Sequence, residues 1–357
     1  MIISTSVQPD DTSKRAFSVR SKNANYAILV LVTVIIILAA RALFAGGPRS
    51  FAQIGSLPIG AIRRAGIWYW MENPQGPHAQ LVRADENGKI TRREADVITG
   101  FDVAGDTLVY IARKGNSWSG LIARTDGREE VVWSGPNEAW GPKGQGNTAY
   151  WSVQIPPSVS DKSSLPPLAP GLQILSGPIG SAKSAVVAKL LEREGSIIGI
   201  HSGKIYLAAY RSGSPGSTAF YTVPLTGGTP QRIAGEAGRS LGIVTRDGTL
   251  MWIGQSRESS DEVTVSCIRR IGSDGKAETV MDWLPRNGEL FDTDHGVYYV
   301  DGGAQPSLWP LGTADRLPRP ASVSKGFAPV ALGEGEILLR PDNLVLAPVS
   351  LFKAPLP

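Results

Sequence analysis

Gly105–Ile111 reads Gly-Asp-Thr-Leu-Val-Tyr-Ile, and this stretch and its copies decide the fold. A glycine turn releases a short strand of the type apolar-Tyr-apolar. The phrase returns after Gly66 as Trp68-Tyr69-Trp70, after Gly146 as Ala149-Tyr150-Trp151, after Gly203 as Ile205-Tyr206-Leu207 and after Gly296 as Val297-Tyr298-Tyr299. Weaker copies follow Gly248 (Leu250-Met251-Trp252) and Gly335 (Ile337-Leu338-Leu339). Successive marker glycines are 39, 41, 57, 45, 48 and 39 residues apart, and a period of roughly 40–50 residues marks propeller blades.

Each repeat divides into four short strands: one before the glycine, the tyrosine strand, and two more joined by a tight turn. Those turns stand at Asp85-Glu86-Asn87-Gly88, Asp126-Gly127, Thr226-Gly227-Gly228 and Ser273-Asp274-Gly275, where glycine supplies the positive φ that hairpins demand. A lone four-stranded sheet cannot bury both faces, so the units must stack around an axis. The expectation is an all-β propeller over residues 60–357. Seven four-stranded blades follow from the glycines, and six if the last repeat merges with the entering segment. Residues 343–351 supply a third strand for that repeat, and residues 46–59 read as a linker or the strand that closes the ring. Tyr69, Tyr110, Tyr150, Tyr206 and Tyr298 are expected at equivalent places, on the sheet face opposite to their neighbours such as Trp68 and Trp70.

Outward from the repeats, residues 1–25 are polar and read as a disordered tail. Residues 26–45 follow, containing AILVLVTVIIILAA, fourteen residues without a charge. With its flank this run is about 20 residues, enough for a transmembrane helix. It is expected to anchor the protein in a membrane, with Arg41 snorkelling at one end. The core of a cleavable signal peptide is the rival reading, and the product would then be secreted. Basic residues before the span tilt the orientation towards a C-terminal domain outside the cytoplasm. The chain contains no Asn-x-Ser/Thr sequon, which fits a bacterial or unglycosylated protein. Past residue 50 it carries thirty basic and thirty acidic residues. That neutrality removes the counterion release on which nucleic-acid binding depends. Cys267 is the only cysteine, so no disulfide within the chain is available and packing alone must hold the fold. It alternates with strand residues, and the reading is a small core side chain.

With apolar-Tyr-apolar strands, glycine turns and Asp-Gly hairpins, residues from about 60 to 352 resemble the TolB-like and YVTN-type β-propeller repeat family. The resemblance implies the propeller fold and a leaning towards exported binding or scaffolding roles. It carries no catalytic residues onto this sequence. Fold likeness by itself does not assign function.

Motifs for chemistry fail one by one. Gly177–Ser184 resembles a phosphate loop, but Ala182 stands where the glycine before lysine belongs. Asp292-Thr293-Asp294-His295-Gly296 has the start of a calcium loop without its later acidic ligands. There is no Gly-x-Ser-x-Gly elbow, and three scattered histidines form no metal spacing. No catalytic residue, metal or cofactor is assigned. Candidate ligand-binding residues fall in two places. Asp102, His201 and Asp292 precede marker glycines on strands that line the central channel. Arg113, Lys114, Trp118, Trp140, Tyr210, Arg211 and Arg257 belong to the rim, near the Pro- and Ser-rich insert 154–171, where exposed aromatic and arginine side chains suit recognition. The functional expectation is a membrane-anchored extracytoplasmic propeller that binds or scaffolds a protein or small ligand. The alternative is an exported propeller enzyme, hydrolase or lyase, with an acidic site on the axis.

Overall fold

In the computed structural model the chain divides into two units, Met1–Pro48 and Arg49–Pro357. The described residues are 48–357 apart from 55, 77, 116, 125–127, 156–170, 193, 212–215, 239, 258–263, 273, 283, 285–287, 302–305, 312–320, 322–326, 342–348 and 357.

Strand β1 (Arg49–Ile54) does not pair with its sequence neighbour. The first blade is β2 (Ile59–Arg64), β3 (Ile67–Glu72), β4 (Ala79–Ala84) and β5 (Ile90–Ala95). The second is β6 (Val97–Ala104), β7 (Thr107–Lys114), β8 (Ser117–Arg124) and β9 (Glu129–Gly135). The third is β10 (Ala139–Gln145), β11 (Thr148–Ile155), β12 (Gly171–Pro178) and β13 (Ala185–Leu190). β14 (Glu194–His201), β15 (Lys204–Arg211), β16 (Ser217–Pro224) and β17 (Gln231–Ala237) make the fourth. β18 (Leu241–Val244), β19 (Leu250–Arg257), β20 (Thr264–Ile271) and β21 (Ala277–Met281) make the fifth. A sheet of three strands follows: β22 (Gly288–Thr293), β23 (Gly296–Asp301) and β24 (Leu308–Leu311). The closing blade is β25 (Phe327–Leu332), β26 (Glu336–Pro341) and β27 (Val349–Pro355), completed by β1 on the outside of β27.

Seven four-stranded blades are therefore not what the structure holds. Among the described residues six blades have four strands, and the β22–β24 sheet has three. Among the described residues beyond β24 and before β25, an isolated bridge, Leu308 to Ala321, marks a fourth place. Among the described residues no helix is long and apolar enough to cross a membrane, and residues 26–45 lie outside them.

The tyrosine strand is the second of its sheet each time, and its alternation sends side chains to both neighbouring sheets. Trp68 and Trp70 join the core between the first and closing blades, while Tyr69 joins the core between the first and second. Tyr150 likewise packs towards the fourth blade and Trp151 towards the second. Tyr69, Tyr150, Tyr206 and Tyr298 are each the third residue of their strand. Tyr110 is the fourth, and the expected equivalence of five tyrosines fails there. Thr107 pairs with Ala104 at the strand start, so Tyr110 takes the place of Trp70 or Trp151 and faces the preceding blade. One residue of register reverses the face. Its hydroxyl lies 3.0 Å from Glu129 Oε1, and Arg93 of the first blade reaches the same carboxylate. Burial, then the Glu129 charge, pushes the phenol pKa up.

Closure rests on the seam. β1 and β27 pair antiparallel, from Arg49 against Lys353 to Ile54 against Val349. The turn between β4 and β5 leans on this seam: Lys353 Nζ donates to the carbonyl of Glu86 at 3.0 Å. At Gly88, φ is +78° and a Cβ would stand 1.8 Å from the carbonyl oxygen of Phe51. Gly275 has nearly the same φ, +77°, but open space around it. Gly275→Ala therefore carries only the left-handed backbone penalty, about 1 kcal/mol. Gly88→Ala adds a collision with fixed backbone, and its unfolding free energy should fall by at least about 2 kcal/mol more. Urea denaturation of the two variants checks this, and equal losses would show that the seam yields freely.

Candidate functional site

The innermost strands β2, β6, β10, β14, β18, β22 and β25 stand next to one another around the axis. At the end where their marker turns lie, the channel residues predicted from sequence turn out to be fasteners between sheets. Asp102 Oδ2 accepts the Gly144 N–H of the third blade at 2.9 Å, with Lys143 Nζ 3.8 Å from the other oxygen. Asp292 Oδ2 accepts the Arg246 N–H of the fifth blade at 3.0 Å, and the Arg246 guanidinium is 3.6 Å away. Burial raises the Asp292 pKa against the pull of that N–H and charge. Asp294 repeats the device towards the closing blade, accepting the Gly335 N–H at 2.8 Å. Asp102 and Asp292 thus hold different neighbours and form no paired-carboxylate site. The His201 ring packs on Gly248 of the fifth blade, where a Cβ would come within 2.4 Å of it.

The opposite end, where β7 turns into β8 and β11 into β12, corrects the rim. Trp118 is only 8% exposed and belongs to the core between the second and third blades. Arg113 lies over its ring, 5.7 Å from the centroid, and is itself exposed. Trp140 is half-buried, its carbonyl accepting the Ser152 hydroxyl at 3.1 Å. Tyr210 is half-buried against the core between the fourth and fifth blades, its hydroxyl 3.4 Å from the Ser240 carbonyl. The side chains of Lys114, Arg211 and Arg257 lie outside the described ones, as does the insert at residues 156–170. Glu138 stands close to this group. Burial first, and then the charge of Glu194, raise its pKa, with Arg113 opposing.

At this same end the channel opens into a cavity of about 680 Å³ between the first and fifth blades, the three-stranded sheet and the closing blade. Leu57 and Ile59 enter from one side and Leu241 from another, 45%, 48% and 60% exposed. Pro329 and Val330 of β25 complete the apolar wall. Glu289, second residue of β22, is the carboxylate in it that makes no hydrogen bond or ion pair among the described residues. It meets solvent through the mouth, but the walls crowd out bulk water, and this desolvation pushes its pKa up. Asp301 and Arg340 also line the cavity, yet both are engaged: Asp301 with the Trp309 indole at 3.4 Å, Arg340 with the Pro341 carbonyl at 3.4 Å.

Sequence reasoning missed Glu289. Its signal was faint: one of two acids in a six-residue strand, seven residues before Gly296, with Asp292, nearer the marker glycine, the more conspicuous. No group of three or more His, Cys, Asp and Glu side chains able to hold a metal occurs among the described residues.

No family model and no curated protein matches the chain. Solved structures do. The β-propeller domain of the Trilobed protease from Pyrococcus furiosus, described as having an open velcro topology, superposes with a TM-score of 0.57 at 10% identity over 86% of this chain and 94% of that one. Pyrococcus horikoshii acylaminoacyl peptidase gives 0.59 at 10% identity over 83% of this chain, which spans 50% of the peptidase. Oligogalacturonate lyase from Vibrio parahaemolyticus gives 0.54 at 11% identity, covering 87% and 98%. At such identities the likeness is one of fold: the chain is a β-propeller. The narrower TolB-like assignment gains nothing from these comparisons.

Two outcomes follow. Trp118→Ala, which an exposed rim position would tolerate, should cost about 3–5 kcal/mol in denaturant unfolding, as for other buried tryptophans. For Glu289 the folded pKa lies above the unfolded one, so the folded state binds its proton more tightly and stability falls as pH rises between the two. Glu289→Gln removes that loss. The variant should match the wild type below the unfolded carboxyl range of about pH 4 and be the more stable at neutral pH. A variant less stable at neutral pH would mean that Glu289 has a stabilising partner.

Proposed function

We propose that the protein takes up a small ligand at the channel mouth, and that it is an enzyme of hydrolase or lyase type in preference to a passive scaffold. One observation carries the proposal: about 680 Å³ of largely apolar wall around a carboxyl, Glu289, without a described partner. Cavities of roughly 300–1,000 Å³ with few polar groups are the usual form of small-molecule sites. The similar structures, peptidases and a lyase, favour the enzyme over the scaffold as a matter of analogy. In this reading the substrate meets Glu289, whereas Asp102 and Asp292 hold the sheets in place. The TolB-like resemblance stays within the proposal, supported by the apolar-Tyr-apolar strands.

The full chain is incubated at neutral pH with N-acylated peptides that bear a lysine side chain, followed by released amine, and with the anionic oligogalacturonate, followed by ultraviolet absorbance of unsaturated product. Turnover of the peptides that is lost in Glu289→Gln and kept in Asp102→Asn is the expected result. Turnover of neither, or turnover indifferent to Glu289, would overturn the enzyme reading.

A further inference from the structure

The cavity around Glu289 has a charge and a shape from which the ligand's chemistry can be read. Three of its wall residues, Leu57, Ile59 and Leu241, are among the few large apolar side chains left exposed in the described residues. Apolar surface gathered in one concave place gains by being covered. In the same cavity Glu289 has no ion-pair or hydrogen-bond partner among the described residues, so no direct contact there compensates its negative charge. Of the other charged lining groups, Asp301 bonds the Trp309 indole and adds a second negative charge, while Arg340 bonds the Pro341 carbonyl and supplies one positive charge, so two carboxylates face one guanidinium and the lining stays net negative. An anionic ligand would add a like charge in a confined space, and a neutral one would leave the carboxylate unmatched.

We propose that the mouth recognises ligands that carry one cationic nitrogen on an apolar body, the nitrogen seated on the Glu289 carboxylate and the body against Leu57, Ile59 and Leu241. This rests on the reading of the mouth as the ligand site and names the class of ligand it takes. A primary amine suits the place because an ammonium offers three donors to one carboxylate. Its hydrocarbon body fills the wall side of the cavity, away from the charge.

Three probes of one shape separate the terms: 1-naphthylmethylamine, 1-naphthylmethanol and 1-naphthoic acid, each titrated into the full chain at mildly alkaline pH by calorimetry and saturation-transfer NMR. The amine should bind at least about tenfold more tightly than the alcohol, and the acid most weakly, a tenfold step being about 1.4 kcal/mol. Glu289→Gln should remove the amine's advantage and leave the alcohol unchanged. That the alcohol still binds shows the variant folded. Leu241→Trp, which fills the mouth, should weaken all three. Equal binding of amine and alcohol, or an amine advantage that survives in Glu289→Gln, would overturn the cationic-ligand proposal while sparing the mouth. Binding of none, or binding indifferent to Leu241→Trp, would overturn the mouth reading and this proposal together.

Discussion

The ladder between β1 and β27 is the constraint on which the rest depends. Every sheet here is covered on two faces by its neighbours, so each is stable only if the ring has no open seam. β27 is the last strand of the chain and would present a free edge, and β1, from the opposite end of the domain, pairs along it from Arg49 to Ile54. A capped edge offers no template to another chain. The glycine at position 88 exists in this setting: it lets the turn of the first blade lie directly on the backbone of β1. Phe51, Ile54, Leu338 and Leu351 then share one core with Trp68 and Trp70. The seam is a core of the same kind as the other interfaces.

Between sheets, polar groups are placed where the repeat leaves them no water. Glu72 and Glu236 are both buried, and each accepts a tryptophan indole N–H at 3.1 Å, from Trp70 and Trp252. Arginine completes the set each time, Arg92 at 3.7 Å and Arg269 at 2.9 Å. A buried carboxylate is tolerable only with such partners. The two groups are related in chemistry and not in position: Glu72 ends the second strand of its blade, whereas Glu236 comes from the fourth strand of the preceding one. Tyr299, buried beside Asp301, has its phenol pushed up to about 12, by burial first and by the Asp301 charge second. Glu72 and Glu236 fasten the ring and lie outside the lining of the cavity.

Against this background Glu289 is conspicuous because no described residue fastens it. Asp102 and Asp292 stand near the marker-turn end of innermost strands and Asp294 in the turn itself, and each accepts a backbone N–H from the adjoining sheet. Glu289 sits at the other end of its strand, where β18 and β22 begin and the channel widens into an apolar mouth. Its desolvation is produced by walls from four sheets.

The amino-acid sequence by itself determined the propeller. The glycine-led repeat, its period and the apolar-Tyr-apolar strands specify four-stranded units that must stack, since none can cover its own faces. The neutral charge of the domain and the absence of any catalytic motif were equally legible. What the sequence could not carry was parity and convergence. Tyr110 looks like its counterparts until the pairing of Thr107 with Ala104 shows it one residue out of step, and in a strand one residue is the difference between facing one neighbour and the other. Trp118, beside a charged turn, reads as a rim residue and is buried because Val132 and Trp151 come from separate strands to cover it. The mouth joins Leu57, Leu241, Glu289 and Val330, more than 270 residues apart at the extremes. Only closure of the ring brings them together, because a propeller's channel belongs to no single repeat.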